Sequence, residues 1–144
     1  MQTFLPYSDF KKSAKCLDDK RLGKQRVEAM QILNVLVSKR LGKIYKQNGK
    51  KIGWLNHPAV KMWQGYENSL KLYMKYCIQE WTSRGFKNKI IIPICIPKNI
   101  DHPTWLGNEK LHSSHRSNLL RKKFDFYNKY KWKESTDLPY FWPK

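Results

Sequence analysis

Apolar residues in the first half of the chain recur three and four positions apart, the spacing that gathers them on one side of an α-helix. From Asp18 to Arg40, Leu22, Ala29, Leu33, Leu36 and Val37 form such a face, and Gly42 stands where a helix would stop. A shorter helix over Asp9 to Lys15 has Ser8 in place as its N-cap. A second long helix is predicted to open at Pro58, because proline suits the first helical position, and to end before Gly85. Its stripe of Val60, Trp63, Leu70, Met74, Cys77, Ile78 and Trp81 keeps the cleanest 3.6-residue period, which makes it the expected core helix. A third helix is predicted from about Ser113 to Tyr130.

The remaining stretches lack that period. GKIYKQNGKKIGWL, with its glycines and lysines, reads as a flexible basic loop. KIIIPICIP has the composition of a strand, but Pro93 and Pro97 interrupt it, so a buried extended connection is expected. The closing ESTDLPYFWPK is too rich in proline and aromatics for a helix and should pack back over the body. With no internal repeat and no linker, the expectation is an all-α fold. It would be a compact single domain, residues 1–144, of about three main helices with long irregular connections.

Charge narrows the function. Against 11 Asp+Glu the 144 residues carry 29 Lys+Arg, a formal net charge of +18, which draws in polyanions by long-range steering and counterion release. Nucleic acid leads as partner, with an anionic membrane surface behind it. Disorder is the rival for such charge, but 40% hydrophobic and 14% aromatic residues are enough to build a core. Cys16, Cys77 and Cys95 are odd in number, lie far apart and form no CxxC pair, so neither a disulfide framework nor a zinc knuckle is indicated. Residues 1–17 lack the pattern of a signal peptide and no run of about 18 apolar residues occurs, which predicts a soluble intracellular, cytoplasmic protein.

Chemistry is suggested where polar residues invade an apolar face. On a helical wheel Gln25, Arg26, Asp18 and Asp19 fall on the side that carries Leu22, Ala29 and Leu36, and Arg21 and Glu28 border it. Polar groups grafted onto a core stripe point to a lined cleft, because a buried charge persists only when paired or used. The plain alternative is a helix that projects past the core with every side wet. Glu67 also interrupts its stripe, either as the structural mate of an arginine on the first long helix or as a functional acid. LHSSHRSNLLRKK gathers His112, His115, Arg116, Asn118 and Arg121 with hydroxyls at a predicted helix start, which suits phosphate oxygens, or else forms a solvated basic helix. Trp54, Trp63 and Trp105 have faces on which bases stack, although Trp63 sits mid-stripe and is expected in the core. No GxGxxG, P-loop or GxSxG motif is present, which disfavours dinucleotide binding, P-loop phosphoryl transfer and serine-hydrolase chemistry.

FLPYSDFKKSAKCLDDKRLGKQRVEAMQIL, WLNHPAVKMWQGYE, EWTSRGF, HSSHRSNLLRK and DLPYFWP together resemble a family of small bacterial and viral proteins grouped with the pyrimidine-dimer DNA glycosylases. The likeness runs over nearly the whole chain and is more distant for the bacteriophage branch, to which only CLDDKRLGKQR and IQEWTSRGF match. It implies an all-α monomer acting on double-stranded DNA with a damaged or modified base, without metal or cofactor. The resemblance further implies a flipped base and attack on the sugar C1′ by the N-terminal α-amine. An α-amine suits this, since its ordinary pKa is about 7.7–8.0 against about 10.4 for lysine, so more of it is neutral and nucleophilic. Arg26 and Arg21 match the arginines that close and open the first-helix motif. The place of the family's glutamate falls at Leu22 or Gly23, which leaves Asp19, Glu28 or Glu67 to stand in. Gln2 is bulky enough to keep Met1 in place.

The expected catalytic set is therefore Met1, Asp19, Arg21, Gln25, Arg26 and Glu28, and the expected DNA contacts are Lys24, Lys50, Lys51, His57, His115, Arg116, Asn118 and Arg121. The expected activity is an N-glycosylase, with or without abasic-site lyase activity. A hydrolytic route through carboxylate-activated water stays open. So do two non-enzymatic readings, a basic nucleic-acid-binding module and a viral or ribosome-associated structural protein.

Overall fold

The computed structural model describes residues 1–91 and 95–143. Within them the chain forms six helices, α1 (Phe10–Cys16), α2 (Asp19–Arg40), α3 (Pro58–Trp63), α4 (Glu67–Ser83), α5 (Glu109–Lys122) and α6 (Phe124–Tyr127), then a 3-10 turn over Asn128–Tyr130. No strand occurs among the described residues, in line with the all-α expectation.

α2 follows its apolar face. Leu22, Ala29, Ile32 and Leu36 are buried, and Gln25 is buried with them. α4 lies antiparallel beside it, pinned at both ends. Asp19 at the start of α2 pairs with Arg84 at the end of α4 (3.0 Å), and Arg40 pairs with Glu67 at the start of α4 (3.2 Å). Glu67 is thus the mate of an α2 arginine, at the half-exposed edge of the helix pair. Between those ends Gly23 makes room for the Trp81 indole, since a Cβ there would lie 3.0 Å from the ring.

Three boundaries differ from the sequence expectation. The predicted second helix is two, because Gly65 takes a left-handed φ of 85° and turns the chain between α3 and α4. The third helix begins earlier: the Asn108 side chain accepts from Lys110 N at 3.1 Å, so Asn108 is the N-cap and Ser113 lies inside the helix. It also ends earlier, at Lys123, whose φ of −154° and ψ of 71° break the hydrogen-bond ladder before α6. Asp9, not Ser8, caps α1, accepting Lys12 N at 2.9 Å.

The basic stretch after α2 is a small turn closed by an antiparallel bridge between Tyr45 and Lys51, with Lys50 and Lys51 exposed. Part of the KIIIPICIP stretch, residues 92–94 with Pro93, lies outside the described residues, and its described flanks are not buried: Ile91 is 87% exposed and Cys95 is exposed. The C-terminal segment does fold back, since Leu138 N donates to Ser117 Oγ (3.0 Å) and Phe141 N to Ser114 Oγ (3.2 Å) on α5.

Through the middle of this body runs the N-terminal segment. Residues 2–6 are extended and buried, yet no neighbouring strand pairs with them. Their backbone is satisfied by side chains instead, as buried polar groups require. Phe4 N donates to Gln25 Oε1 (2.8 Å), Leu5 N donates to His115 Nδ1 (2.9 Å), and His112 Nδ1 lies 2.8 Å from Leu5 O. Arg116 Nη1 donates to Pro6 O at 2.7 Å, and the Tyr73 hydroxyl lies 2.8 Å from Phe4 O. Trp63, fully buried, donates its indole N–H to Thr3 Oγ1 at 3.0 Å.

Candidate active site

The threaded segment emerges at Met1 into a groove of about 430 Å³. One wall is the face of α2 that carries Lys20, Arg21, Lys24, Gln25 and Glu28, and Lys122 and Tyr140 close the other side. Those α2 positions share a face because they sit one, four and five residues apart around the helix. Four cations therefore surround one carboxylate, a field that favours an anionic ligand.

Glu28 is tied to the chain terminus. Its Oε2 accepts the Gln2 backbone N–H at 3.2 Å and the Gln25 Nε2 at 3.1 Å. Gln25 is spent on positioning: Nε2 also donates to Gln2 O (3.0 Å), and Oε1 lies 2.7 Å from the Tyr73 hydroxyl while it accepts from Phe4 N. Tyr73 itself is held protonated, its hydroxyl pushed well above the usual range by complete burial. Arg21 is braced by Asp18 at 3.2 Å, and Asp18, 1% exposed, also accepts from the Tyr127 hydroxyl.

Across Met1 from this groove lies His57, the N-cap of α3, whose Nδ1 accepts Ala59 N at 3.0 Å. Burial lowers the His57 pKa first, the positive α-amine of Met1 lowers it next, and Glu28 opposes both. His57, the α-amine and Glu28 are thus electrostatic neighbours.

Four of the six expected catalytic residues meet here: Met1, Arg21, Gln25 and Glu28. Asp19 does not, because Arg84 holds it at the far edge of the α2/α4 pair. Nor does Arg26. Its Nη1 donates to Asn88 Oδ1 at 2.6 Å and its guanidinium lies 4.3 Å from the Trp81 ring, which stacks in turn on Phe86. Burial lowers the Arg26 pKa, as expected for a guanidinium packed against an indole.

Of the expected DNA contacts, Lys24 lines the groove, and Lys51 and His57 border Met1 with Lys50 next to them. The α5 group goes elsewhere. His115 and Asn118 are 0% exposed, out of reach of a phosphate, and hold the N-terminal and C-terminal segments respectively. Arg116 is 12% exposed and neutralised by Glu109 and Glu134. Arg121 is exposed but donates to Thr136 O at 2.9 Å. The motif that looked like a phosphate cradle is an internal clasp, because α5 starts a turn earlier and turns this face inward. Sequence reasoning missed Lys20, Lys122 and Tyr140. Lys20 was findable, four residues before Lys24 on the same face, whereas Lys122 and Tyr140 are remote in the chain.

Among the described residues no group of three His, Cys, Asp or Glu side chains could hold a metal ion, and no helix is long and apolar enough to cross a membrane. Burial pushes the thiols of Cys16 and Cys77 up to about 12, so both are inert packing groups.

A helical body that brings a chain terminus, a carboxylate and a row of cations into one groove defines a class: a basic all-α protein with acid–base groups set among anion-binding side chains. Within that class the affiliation is specific. The sequence model of the pyrimidine dimer DNA glycosylase family matches residues 1–92, and the chain belongs to that family. These are glycosylases of DNA repair, and DNA is the substrate the family name carries. The match covers α1 to α4, and with them Met1, Arg21, Lys24, Gln25 and Glu28. No curated protein and no solved structure matches the chain.

Proposed function

We propose that this protein is a pyrimidine-lesion N-glycosylase with abasic-site lyase activity, in which the α-amine of Met1 is the nucleophile and Glu28 the acid–base group. The observation that carries the reading is the tie between Glu28 and the first peptide: the carboxylate accepts Gln2 N–H at 3.2 Å, one residue from the amine, inside a groove whose other charges are cations.

Duplex DNA lies with phosphates along Lys20, Arg21, Lys24 and Lys122, and the damaged nucleotide swings out toward Met1. The neutral amine donates its lone pair to C1′ while the C1′–N bond breaks, and the electron pair of that bond leaves with the base, which takes up a proton. Glu28 stabilises the positive charge that develops on the sugar and accepts the proton that the amine sheds. Opening of the sugar ring gives a Schiff base between C1′ and Met1 N. Loss of a C2′ proton then expels the 3′ phosphate by β-elimination. Arg21, braced by buried Asp18, is placed to hold a phosphate oxygen.

Borohydride trapping tests this, on duplexes carrying an abasic site or a cyclobutane dimer, with intact and N-terminally blocked protein side by side. A covalent adduct lost on blocking is the expected result. An adduct that survives blocking moves the nucleophile to a lysine, and base release without any adduct moves the chemistry to water activated by Glu28. Salt-dependent binding with no product leaves a non-catalytic DNA-binding module.

A further inference from the structure

A second cavity, of about 590 Å³, adjoins the basic groove, and Met1 is a wall of both. Its lining has another character. Ile52, Trp54 and Leu55 make it largely apolar, with His57 beside them and Lys51 as its cation.

Trp54 stands out on two counts. It is 51% exposed, and its backbone takes a φ of 73°, a left-handed conformation that bulky residues rarely adopt. Strain of this kind persists only where the surrounding structure holds it, and it concentrates where a side chain is needed in one place. Here His57 holds it: the two rings stack with centroids 5.6 Å apart and planes 30° apart. His57 is itself fixed, since Nδ1 caps α3 and Trp142 meets the imidazole edge-on at 5.9 Å. With Nδ1 accepting a hydrogen bond, the neutral ring carries its proton on Nε2 and brings a donor to the cavity.

We propose that Trp54, backed by His57, is the stacking platform for the nucleobase that leaves the duplex at the reacting nucleotide. The inference rests on the function proposed above and deepens it. One bond joins a base to its C1′, so when C1′ meets the Met1 amine the base lies within a ring's width of Met1. Of the two cavities that share Met1, the cation-lined one suits phosphates and the aromatic one suits a base. Stacking on an indole accepts any base, because each has a π-face. The Nε2–H of His57 adds a preference for pyrimidines, which all present a carbonyl oxygen beside the glycosidic nitrogen.

The test separates base recognition from sugar chemistry. With Trp54→Ala, excision from a dimer-bearing duplex is expected to fall tenfold or more beyond any fall in borohydride-trapped adduct at a preformed abasic site, which has no base to stack. Trp54→Phe should restore excision to within about threefold, as a stacking role requires. Trp54→Gly relieves the left-handed backbone, so it should melt no lower than the parent and still lose excision; a purely structural Trp54 would give the reverse. Equal losses on both substrates overturn the proposal. A second measurement does not need turnover: 5-iodouracil placed unpaired in a duplex and irradiated at long wavelength should cross-link to Trp54. Cross-linking elsewhere, or none, overturns the proposal even in an active enzyme. If the protein neither excises nor traps but the Trp54 cross-link forms, the proposed function falls and the platform stands.

Discussion

Glu28 accepts the backbone N–H of Gln2 at 3.2 Å, so the carboxylate is fixed relative to the chain terminus and not merely near it. Glu28→Gln keeps an acceptor for that N–H and removes the charge. We expect excision to fall about 100-fold or more, with the melting temperature within a few degrees of the parent and DNA binding retained. Side-by-side measurement of single-turnover excision and thermal unfolding checks this. Full activity in Glu28→Gln would transfer the acid–base role to another group.

The N-terminal segment makes stability depend on pH. His115 accepts Leu5 N–H and His112 meets Leu5 O, an arrangement that needs both rings neutral. Complete burial pushes His115 down to about 3, and burial lowers His112 too. An unfolded histidine titrates near about 6.5, so above that pH neither state takes the proton and the stabilisation is whole. As pH falls from there toward 3, the unfolded chain binds protons that the folded one refuses, and stability drops by on the order of a few kcal/mol. We expect the melting temperature to decline between pH 7 and pH 5, and to decline less in His115→Gln, whose amide accepts the Leu5 N–H without titrating. A flat profile in the parent would show that these rings do not set it.

Arg26 tests the division between site and scaffold. Its bond to Asn88 and its place over Trp81 hold the loop after α4 against α2. Arg26→Leu is expected to cost about 1–3 kcal/mol of stability, typical of removing a charged hydrogen bond together with a cation–π pair. Its kcat for excision at a temperature where it is folded should stay within about threefold of the parent. A stable but inactive variant would instead put Arg26 in the chemistry.

The lysines act in aggregate. Replacing Lys20 and Lys24 by Ala should weaken binding to all duplexes alike and reduce the slope of log K against log salt by about one for each phosphate no longer neutralised. Lys50 and Lys51, exposed on the far side of Met1, should lower the slope as well when replaced. A slope that ignores either pair removes that surface from the interface.

How much of this was legible depended on whether a residue's role leaves a periodic trace. α2 and its polar intrusions were readable because Gln25 is buried on the same stripe as Leu22 and Ala29. That stripe located Arg21, Gln25 and Glu28 without the structure. The break at Gly65 was not readable, because Val60, Trp63 and Leu70 keep a helical spacing across it. Residues 2–6 left no trace at all. They are neither helix nor strand, and their partners lie from 21 to 110 residues away. The α5 histidines show the limit of composition. The same residues suit a phosphate cradle or an internal clasp, and only the helix start at Asn108 decides which way they face.

The clasp also sets when the enzyme comes into being. The first residues to leave the ribosome are those that carry the amine, yet Leu5 and Pro6 wait for His112, His115 and Arg116, made more than a hundred residues later. At about 5–20 residues per second, that is a delay of seconds. Contacts this distant in sequence also form late in folding. A nascent or truncated chain therefore has an amine but no groove around it, and the nucleophile meets its carboxylate only in a molecule that is all but finished.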